Sequence, residues 1–174
     1  LIMPHIAHLA KDKTIAKIIF IQQKYELQKR NNVHLHICAS IISQQLSTKV
    51  AAVIYARFLA LFSKKNPSPK DIIAIPFDQL RSIGLSNAKA NYVLNVCNFF
   101  IENKLTDARL HKMENEALIE YLTQIKGIGR WTVEMILMFT LGREDVFAVD
   151  ELGIQQAIFK LYKIVSADKK EMKL

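Results

Sequence analysis

The sequence predicts an all-α fold, and three observations lead to that prediction. Apolar residues recur at helical spacing along most of the chain, and no alternating stretch is long enough to predict a β-strand. Segments rich in Gly, Ser and Pro separate these stretches, as is typical of helix ends. Hydrophobic residues make up 51% of the 174 residues, which is enough for one domain with a substantial core.

Three helices are predicted in the amino-terminal part of the chain. The first covers residues 14–30 and ends at Asn31-Asn32, because its apolar side chains fall on one helical face. The second covers residues 34–43 and is apolar on several sides, which indicates a central position. Ser47 is the expected N-cap of the third helix, which runs through Phe62.

Shorter elements are predicted next. The segment 63–69 contains two prolines and two lysines and is the clearest loop of the sequence. A short helix then begins at Phe77 and stops at Gly84, and Ser86 is expected to cap the helix that follows. From Glu114 the chain enters the helix that leads to the central motif.

That motif is a glycine turn between two helices, at about residues 118–140. Gly127 and Gly129 flank a single apolar residue, so the backbone can turn sharply and approach a ligand closely. The second helix then begins with unpaired N–H groups, which suit a phosphate oxygen, and Lys126 and Arg130 add positive charge on either side. The pattern predicts a helix-hairpin-helix that binds nucleic-acid phosphates, although such glycines can also simply connect packed helices.

In the carboxyl-terminal part, the sequence predicts one buried helix and one helix with acidic residues at its N-terminus. Residues 131–141 are apolar nearly all round, which indicates burial, and a break and a short extended run follow. Asp150 and Glu151 open a last helix that runs to about Tyr162. Acidic residues at a helix N-terminus remain ionised readily, and they are usually caps without a chemical role.

The amino-acid composition indicates which kind of partner the protein binds and in which compartment it is expected. The net charge of +8 favours an acidic partner, most simply nucleic acid. No run of eighteen apolar residues predicts a membrane span, and no secretory signal is expected. Cys38 and Cys97 are interpreted as buried thiols in a reducing compartment, since two cysteines cannot form a four-cysteine iron–sulfur site. His34 and His36 have no partner ligands at metal-binding spacing and are interpreted as structural or exposed histidines.

Two strings give the chain a family resemblance. Gly-Ile-Gly-Arg-Trp-Thr at residues 127–132, followed by Leu-Gly-Arg-Glu-Asp-Val-Phe-Ala-Val-Asp-Glu-Leu-Gly-Ile at residues 141–154, resembles the helix-hairpin-helix DNA glycosylases, specifically the 3-methyladenine glycosylase II branch. The resemblance covers nearly the whole chain and implies one glycosylase domain over residues 1–174. It also implies a two-lobed fold with the active cleft between the lobes. A segment that usually closes the terminal lobe is expected to be missing after Leu174.

The resemblance implies a base-excision-repair enzyme that hydrolyses the N-glycosidic bond of flipped, alkylated purines, such as 3-methyladenine and 7-methylguanine. Related bifunctional enzymes have a nucleophilic lysine where this chain has Trp131, so the implied reaction is monofunctional and leaves an abasic site. The catalytic residue of the family is the second aspartate of a pair. Glu151 takes that position here, and Asp150 is the alternative catalytic carboxylate.

The resemblance also implies the DNA contacts. The segment with Gln45 and Ser47 faces the DNA in similar glycosylases, and the residue matching Gln45 fills the gap that the flipped nucleotide leaves. The backbone carbonyls of Thr123, Ile125 and Ile128 match those that bind a Na⁺ or K⁺ ion beside a phosphate. No cofactor is expected to be required.

The expected partner is double-stranded DNA with alkylated bases, bound by a monomer in the cytoplasm (at a bacterial nucleoid) or, in a eukaryote, in the nucleus. Two other functions remain open at this stage. A non-catalytic DNA-binding module would use the hairpin only as a clamp, and the change of aspartate to glutamate is consistent with it. A helical protein–protein adaptor would leave the basic hairpin unexplained.

Overall fold

A computed structural model of the chain describes residues 4–21 and 26–163, and within these ranges every regular element is an α-helix. The all-α prediction is therefore confirmed. The helices are α1 (Pro4–Leu9), α2 (Lys13–Ile21), α3 (Val33–Ser43), α4 (Thr48–Ala60), α5 (Pro69–Ile73), α6 (Phe77–Ser82), α7 (Asn87–Glu102), α8 (Asp107–Lys112), α9 (Asn115–Leu122), α10 (Arg130–Phe139) and α11 (Leu152–Tyr162). In the described ranges no helix is long and apolar enough to span a bilayer.

The chain divides into two compact units, as the predicted two-lobed fold requires. The central unit covers residues 28–146 and contains α3 to α10, whereas the terminal unit combines residues 1–27 with residues 147–174. In the central unit α3 is almost surrounded: seven of its eleven residues are buried. It packs against α4, α7 and α10, and Ile41, Ile42 and Phe58 are completely buried in this core. Such burial is the main driving force for folding.

Serine caps determine where three of the central helices begin. The Ser47 hydroxyl accepts from the N–H of Val50 and so caps α4, as the sequence predicted. Ser86 caps α7 in the same way, which confirms the second predicted cap. Ser68 forms a reciprocal capping box with Asp71 at the start of α5. Hydrogen bonds from the backbone and hydroxyl of Ser68, together with Lys64, lower the Asp71 pKa to about 2.

The prediction of a first helix over residues 14–30 is wrong in its second half. The helix α2 ends at Ile21, residues 22–25 lie outside the described part, and residues 26–30 are not helical. Tertiary contacts override the helical periodicity here. The N–H of Arg30 donates to the carbonyl of Thr140 at 2.8 Å, and a Cβ at Gly142 would lie 3.3 Å from the backbone of Gln28.

Asn32 marks the start of a helix rather than the end of one. It adopts a left-handed conformation (φ 58°) and provides no side-chain cap for α3. Asp107, the first residue of α8, supplies the cap instead, because its carboxylate accepts from the N–H groups of Asn32 and Val33 at 2.6 and 3.0 Å. A carboxylate 75 positions away therefore replaces the local cap, and no local sequence pattern indicates such a contact.

The prediction that residues 131–141 are buried all round also needs correction. One face of α10, with Val133, Ile136 and Leu137, is buried, but Trp131 is 43% exposed and Phe139 is 51% exposed. Only one side of α10 packs against α3 and α9. An apolar side chain at the surface is common in folded proteins, so hydrophobicity alone could not distinguish the two faces.

The described part of the terminal unit contains α1, α2 and α11. The carboxylate of Asp12 accepts from the N–H groups of Thr14 and Ile15 at the start of α2. The Tyr162 hydroxyl at the end of α11 interacts with the same carboxylate, and desolvation together with this interaction raises the Tyr162 pKa. The N–H groups of Ile15 and Thr14, with a smaller contribution from Tyr162, lower the Asp12 pKa. Polar contacts thus contribute to joining the helices of this unit.

Candidate nucleic-acid interface

The hairpin between α9 and α10 has a buried apolar side and an exposed polar side. Ile125 and Ile128 are almost completely buried and anchor the turn in the core of the central unit. The N–H of Ile128 donates to the carbonyl of Ile125 at 3.0 Å, which closes the turn. Lys126, between these two anchors, and Gly129, directly after them, are exposed. The motif thus presents a cation and open backbone to the surface.

The two hairpin glycines differ in how strictly the structure requires them. Gly127 has φ +103°, and a Cβ there would lie 2.3 Å from Cγ of Tyr92, so the backbone rests directly on that ring. Gly129 has an ordinary φ of −101°, and a Cβ there would meet no atom within 4 Å. Gly129 is the N-cap of α10, and no side chain caps this helix. Its first N–H groups therefore have no side-chain partner, as is typical of a helix start that binds an anion.

Arg130 is less available to a phosphate than the sequence suggested. Its guanidinium donates to Glu116 at 2.6 Å and to Glu134 at 2.9 Å. These carboxylates, Glu116 first, raise the Arg130 pKa. Glu134 is 3% exposed, and its second oxygen has no hydrogen-bond partner. The positive charge of Arg130 is therefore balanced within the hairpin, and Lys126 is the more accessible cation of the two.

The Gln44-Gln45 turn lies between α3 and α4. Gln45 is exposed and adopts a left-handed conformation with φ 56°, which costs a non-glycine residue about 1 kcal/mol. The ammonium of Lys89 donates to the carbonyls of Ile42 and Gln44 at 2.8 and 2.7 Å. The Gln44 side-chain amide donates to the carbonyl of Gly127 at 3.5 Å and so connects the turn with the hairpin. Desolvation lowers the Lys89 pKa.

A pocket of about 510 Å³ lies between the glutamine turn and the start of α10. Trp131 and Gln45, which the sequence placed at the site for separate reasons, both line it. The remaining lining residues come from α3, α7 and their flanking turns: Ser40, Ser43, Gln44, Ser86, Ala88, Lys89 and Tyr92. The structure therefore brings together, in the central unit, two of the predicted functional side chains.

Asp150 and Glu151 lie in the terminal unit, in a tight turn before α11. Glu151 is the N-cap of that helix, and its Oε2 accepts from the N–H of Ile154 at 3.0 Å. The Gln155 side chain donates to the carbonyl of Val149 at 2.7 Å and so fixes the turn from the other side. A Cβ at Gly153 would lie 2.9 Å from Oε2 of Glu151, so glycine leaves room for this carboxylate.

The donors that could hold a metal ion near the hairpin are backbone carbonyls. In the described ranges no cluster of three or more His, Cys, Asp or Glu side chains could hold a metal ion. The predicted ion ligands are instead the backbone carbonyls of Thr123, Ile125 and Ile128. Thr123 is the C-cap of α9. The carbonyl oxygen of Ile125 accepts one hydrogen bond, from Ile128, and its second lone pair can still bind a cation. Neutral oxygens of this kind fit an alkali cation.

His34 and the two cysteines lie in the core of the central unit. The Nε2–H of His34 donates to the carbonyl of Pro67 at 2.9 Å, and the ring contacts Phe100. Cys38 and Cys97 are both buried and free, as predicted. The neighbouring Cys97 thiol and burial raise the Cys38 pKa well above its usual range.

An all-α, two-lobed fold and an uncapped glycine hairpin define a helix-hairpin-helix protein. Residues 38–174 match the family described as HhH-GPD superfamily base excision DNA repair protein, and the chain belongs to this family. The family prediction is thus confirmed.

Similar proteins include 3-methyladenine DNA glycosylases, the branch that the resemblance predicted. DNA-3-methyladenine glycosylase 1 of Schizosaccharomyces pombe is 32% identical over 163 residues, which are 92% of this chain and 72% of that protein. The crystal structure of a DNA-3-methyladenine glycosidase from Bacillus halodurans is 33% identical, with a TM-score of 0.87 over 98% of this chain and 79% of that one. The S. pombe 3-methyladenine DNA glycosylase, in complex with abasic DNA, is 31% identical, with a TM-score of 0.79 over 97% of this chain and 85% of that one.

Sequence reasoning missed several residues that shape the site. Lys89 and Tyr92 lie on α7, far along the chain from the turns that they contact. Glu134 and Gln155 support the hairpin and the acidic turn through single hydrogen bonds. Glu134 offered one signal, because it is an acidic residue inside an otherwise apolar helix and a buried charge usually has a partner.

Proposed function

We propose that the protein is a monofunctional DNA glycosylase of base excision repair that releases alkylated purines from double-stranded DNA. The family, the named relatives and the exposed aromatic residue beside the hairpin support this proposal. The observation that carries it is the position of Trp131, 43% exposed on the wall of a pocket of about 510 Å³. Ligand pockets usually have volumes of about 300–1,000 Å³.

Recognition in this proposal depends on the charge and shape of the damaged base. A purine alkylated at N3 or N7 is cationic, and it attracts the face of an aromatic ring through cation–π interaction and stacking. Trp131 offers such a face. The glutamine turn contributes Gln45, which we propose to fill the gap in the duplex after the nucleotide has flipped. Ser47 caps α4 next to this turn and so fixes the backbone of the segment that we propose to contact DNA.

The chemistry is hydrolysis of the bond between C1′ and the base nitrogen. Water attacks C1′, the C1′–N bond breaks with its electron pair going to the base, and one proton of the water is lost to the carboxylate or to solvent. The alkylated base leaves as a neutral molecule and an abasic sugar remains. We assign Glu151 the role of stabilising the positive charge that develops on the sugar. Asp150, the preceding residue, is the alternative catalytic group.

Strand cleavage is not part of the proposed reaction. A lyase step needs an amine that attacks C1′, and Trp131 offers none. Lys89 lines the same pocket, but its ammonium already donates to two backbone carbonyls. A protonated amine has no free electron pair for attack. The product should therefore keep an intact sugar–phosphate backbone until alkali or another enzyme cleaves it.

We propose that the hairpin supplies most of the affinity for DNA. Its contributing residues are Lys126, Gly127, Gly129 and Arg130. The uncapped N–H groups at the start of α10 donate to one phosphate, and Lys126 adds an exposed charge. Arg130 acts through its ion pairs, which give the hairpin its shape. The carbonyls of Thr123, Ile125 and Ile128 would hold a Na⁺ or K⁺ ion that supplies a further positive charge next to the phosphate. A monomer would suffice for these contacts.

The direct test is incubation of the protein with a duplex that carries methylated purines. We expect release of 3-methyladenine and 7-methylguanine, measured by chromatography, and strand breaks only after alkali treatment. Unmodified DNA is the control substrate. Nicking without alkali, together with a protein–DNA adduct trapped by borohydride, would contradict the monofunctional reaction.

A non-catalytic DNA-binding module is the second candidate, because Glu151 already has a structural role as the cap of α11. Such a module would bind abasic DNA with the steep salt dependence of a phosphate clamp and release no base. The same incubation therefore separates the two candidates. Binding without release would favour the module.

A further inference from the structure

We propose that Lys89 is a positioning residue, which fixes the glutamine turn so that Gln45 projects in the conformation needed to enter DNA. This inference rests on the proposed function, since it concerns how that function is performed. Lys89 does not contact the reacting atoms in this proposal. It acts through the backbone of the turn, and Gln45 is the residue that meets the DNA.

The contacts of Lys89 are specific to this turn. Its ammonium lies 2.8 Å from the carbonyl oxygen of Ile42 and 2.7 Å from that of Gln44, and both distances are typical of charge-assisted hydrogen bonds. The two carbonyls belong to the last turn of α3 and to its C-cap residue. Carbonyl groups at a helix C-terminus have no partner within the helix, and they carry the negative end of its dipole. A half-buried cation satisfies both requirements.

The conformation of Gln45 explains why such a contact is needed. Left-handed backbone is unfavourable for a residue with a Cβ and persists only where the surrounding structure determines it. Lys89 binds the carbonyl on the amino-terminal side of Gln45. On the other side, the Ser47 cap fixes the start of α4. Gln45 lies between two fixed points, and its side chain is exposed.

The same helix also supports the hairpin. Tyr92, one turn after Lys89 on α7, provides the ring against which the Gly127 backbone packs. Asn95, a further turn along, donates to the carbonyl of Lys126 at 3.3 Å. Three positions on one helix thus contact the two loops that we propose to bind DNA. Lys89 is the contact that sets the glutamine turn, whereas Tyr92 and Asn95 set the hairpin.

The test is a double-mutant cycle between Lys89 and Gln45. Lys89→Met keeps the length of the side chain and removes both hydrogen bonds, and Gln45→Ala removes the inserting side chain. If Lys89 acts through Gln45, Lys89→Met should lower the single-turnover rate of 7-methylguanine release by roughly tenfold in the wild-type background. It should have less than about a twofold effect in the Gln45→Ala background. Equal effects in both backgrounds would overturn the proposal.

A second measurement does not depend on catalysis. A duplex with 2-aminopurine opposite an uncleavable abasic analogue reports by its fluorescence whether a side chain has entered the stack. We expect wild-type protein to raise this fluorescence, and Lys89→Met to lose most of the rise while the dissociation constant changes by less than about threefold. An unchanged signal would overturn the positioning role. If the wild-type protein raises the signal but releases no base, the proposed enzyme activity fails and the role of Lys89 stands.

Two further variants separate positioning from charge and from folding. Lys70→Met removes one exposed positive charge from α5 and should change neither the rate nor the fluorescence. Lys89→Arg retains the cation and the donors and should restore part of the fluorescence rise. If Lys89→Met does not fold, as judged by its circular dichroism melting curve, the cycle is run with Lys89→Arg. Its partial loss must then disappear in the Gln45→Ala background, and a loss that persists there overturns the proposal.

Discussion

The central and terminal units differ in how deeply their helices are packed. In the central unit α3 has seven buried residues, and α7 has five. In the terminal unit α2 and α11 have no buried residue, and Phe20 of α2 is 91% exposed. The hairpin and the glutamine turn thus rest on a well-packed core, whereas the acidic pair stands at the start of an amphipathic helix with little burial.

The difference indicates a division of labour within the proposed function. Phosphate contacts need fixed geometry, and the central unit supplies it through buried anchors such as Ile125 and Ile128. The acidic turn obtains its geometry from hydrogen bonds instead, above all the cap between Glu151 and Ile154. In the central unit, substitutions of packed residues should therefore lower the free energy of unfolding. Substitutions of exposed hairpin residues should weaken DNA binding. Substitutions at Glu151 should affect chemistry.

The largest effect on stability is expected at Gly127. Gly127→Ala combines a positive φ with a Cβ 2.3 Å from the Tyr92 ring, and the two penalties together should lower the free energy of unfolding by about 3 kcal/mol. Gly129→Ala is the matched variant, and it should change that free energy by less than about 0.5 kcal/mol. It should nevertheless weaken DNA binding, because its methyl group lies where the phosphate is expected. Urea unfolding and DNA titration measure the two effects. Equal stability of both variants would contradict the contrast.

A smaller effect on stability is expected at Arg130. Arg130→Gln leaves the buried carboxylate of Glu134 without its cation and should cost about 2 kcal/mol of stability. The salt dependence of DNA binding should stay unchanged. Lys126→Gln should do the reverse: stability stays within about 0.5 kcal/mol, and the slope of log K against log salt concentration falls by about 0.9. If Arg130→Gln lowers the slope and spares stability, its ion pairs do not govern its role.

The smallest effect is a pH dependence from His34. Desolvation lowers the His34 pKa from its ordinary value of 6.5, although the Pro67 carbonyl and Asp107 oppose this shift. The unfolded chain then binds a proton that the folded chain does not, so stability is retained above pH 6.5 and lost as the pH falls through the folded pKa. Urea unfolding at pH 7.5 and pH 5.5 should show a larger loss for wild-type protein than for His34→Gln. The same loss in both would exclude His34 as its source.

Local patterns predicted the features that depend on neighbours in the sequence. The caps Ser47 and Ser86 were predictable because a serine oxygen bonds an N–H three residues ahead. The hairpin was predictable because its glycines lie between two apolar helical patterns. The resemblance to the glycosylases supplied the family, which the match over residues 38–174 confirms.

Contacts between distant residues were not predictable in this way. The non-helical segment 26–30 is bound through the N–H of Arg30 to Thr140, and the start of α3 is bound through Asn32 to Asp107. No local pattern encodes either contact. The contacts of Lys89 were not predictable, because the two carbonyls that it binds lie more than 40 positions away along the chain. The exposure of Trp131 likewise follows from which side of α10 packs against α3 and α9.

The most direct test of the account is base release by Glu151→Gln. Glutamine keeps an oxygen that can accept from Ile154, so the cap of α11 is preserved while the negative charge is removed. In single-turnover assays on methylated DNA we expect the rate to fall at least about a hundredfold, with DNA affinity and melting temperature close to wild type. Asp150→Asn is the matched control and should retain most of the activity. Retained excision by Glu151→Gln, or loss of excision only in Asp150→Asn, would contradict the assignment of Glu151 as the catalytic carboxylate.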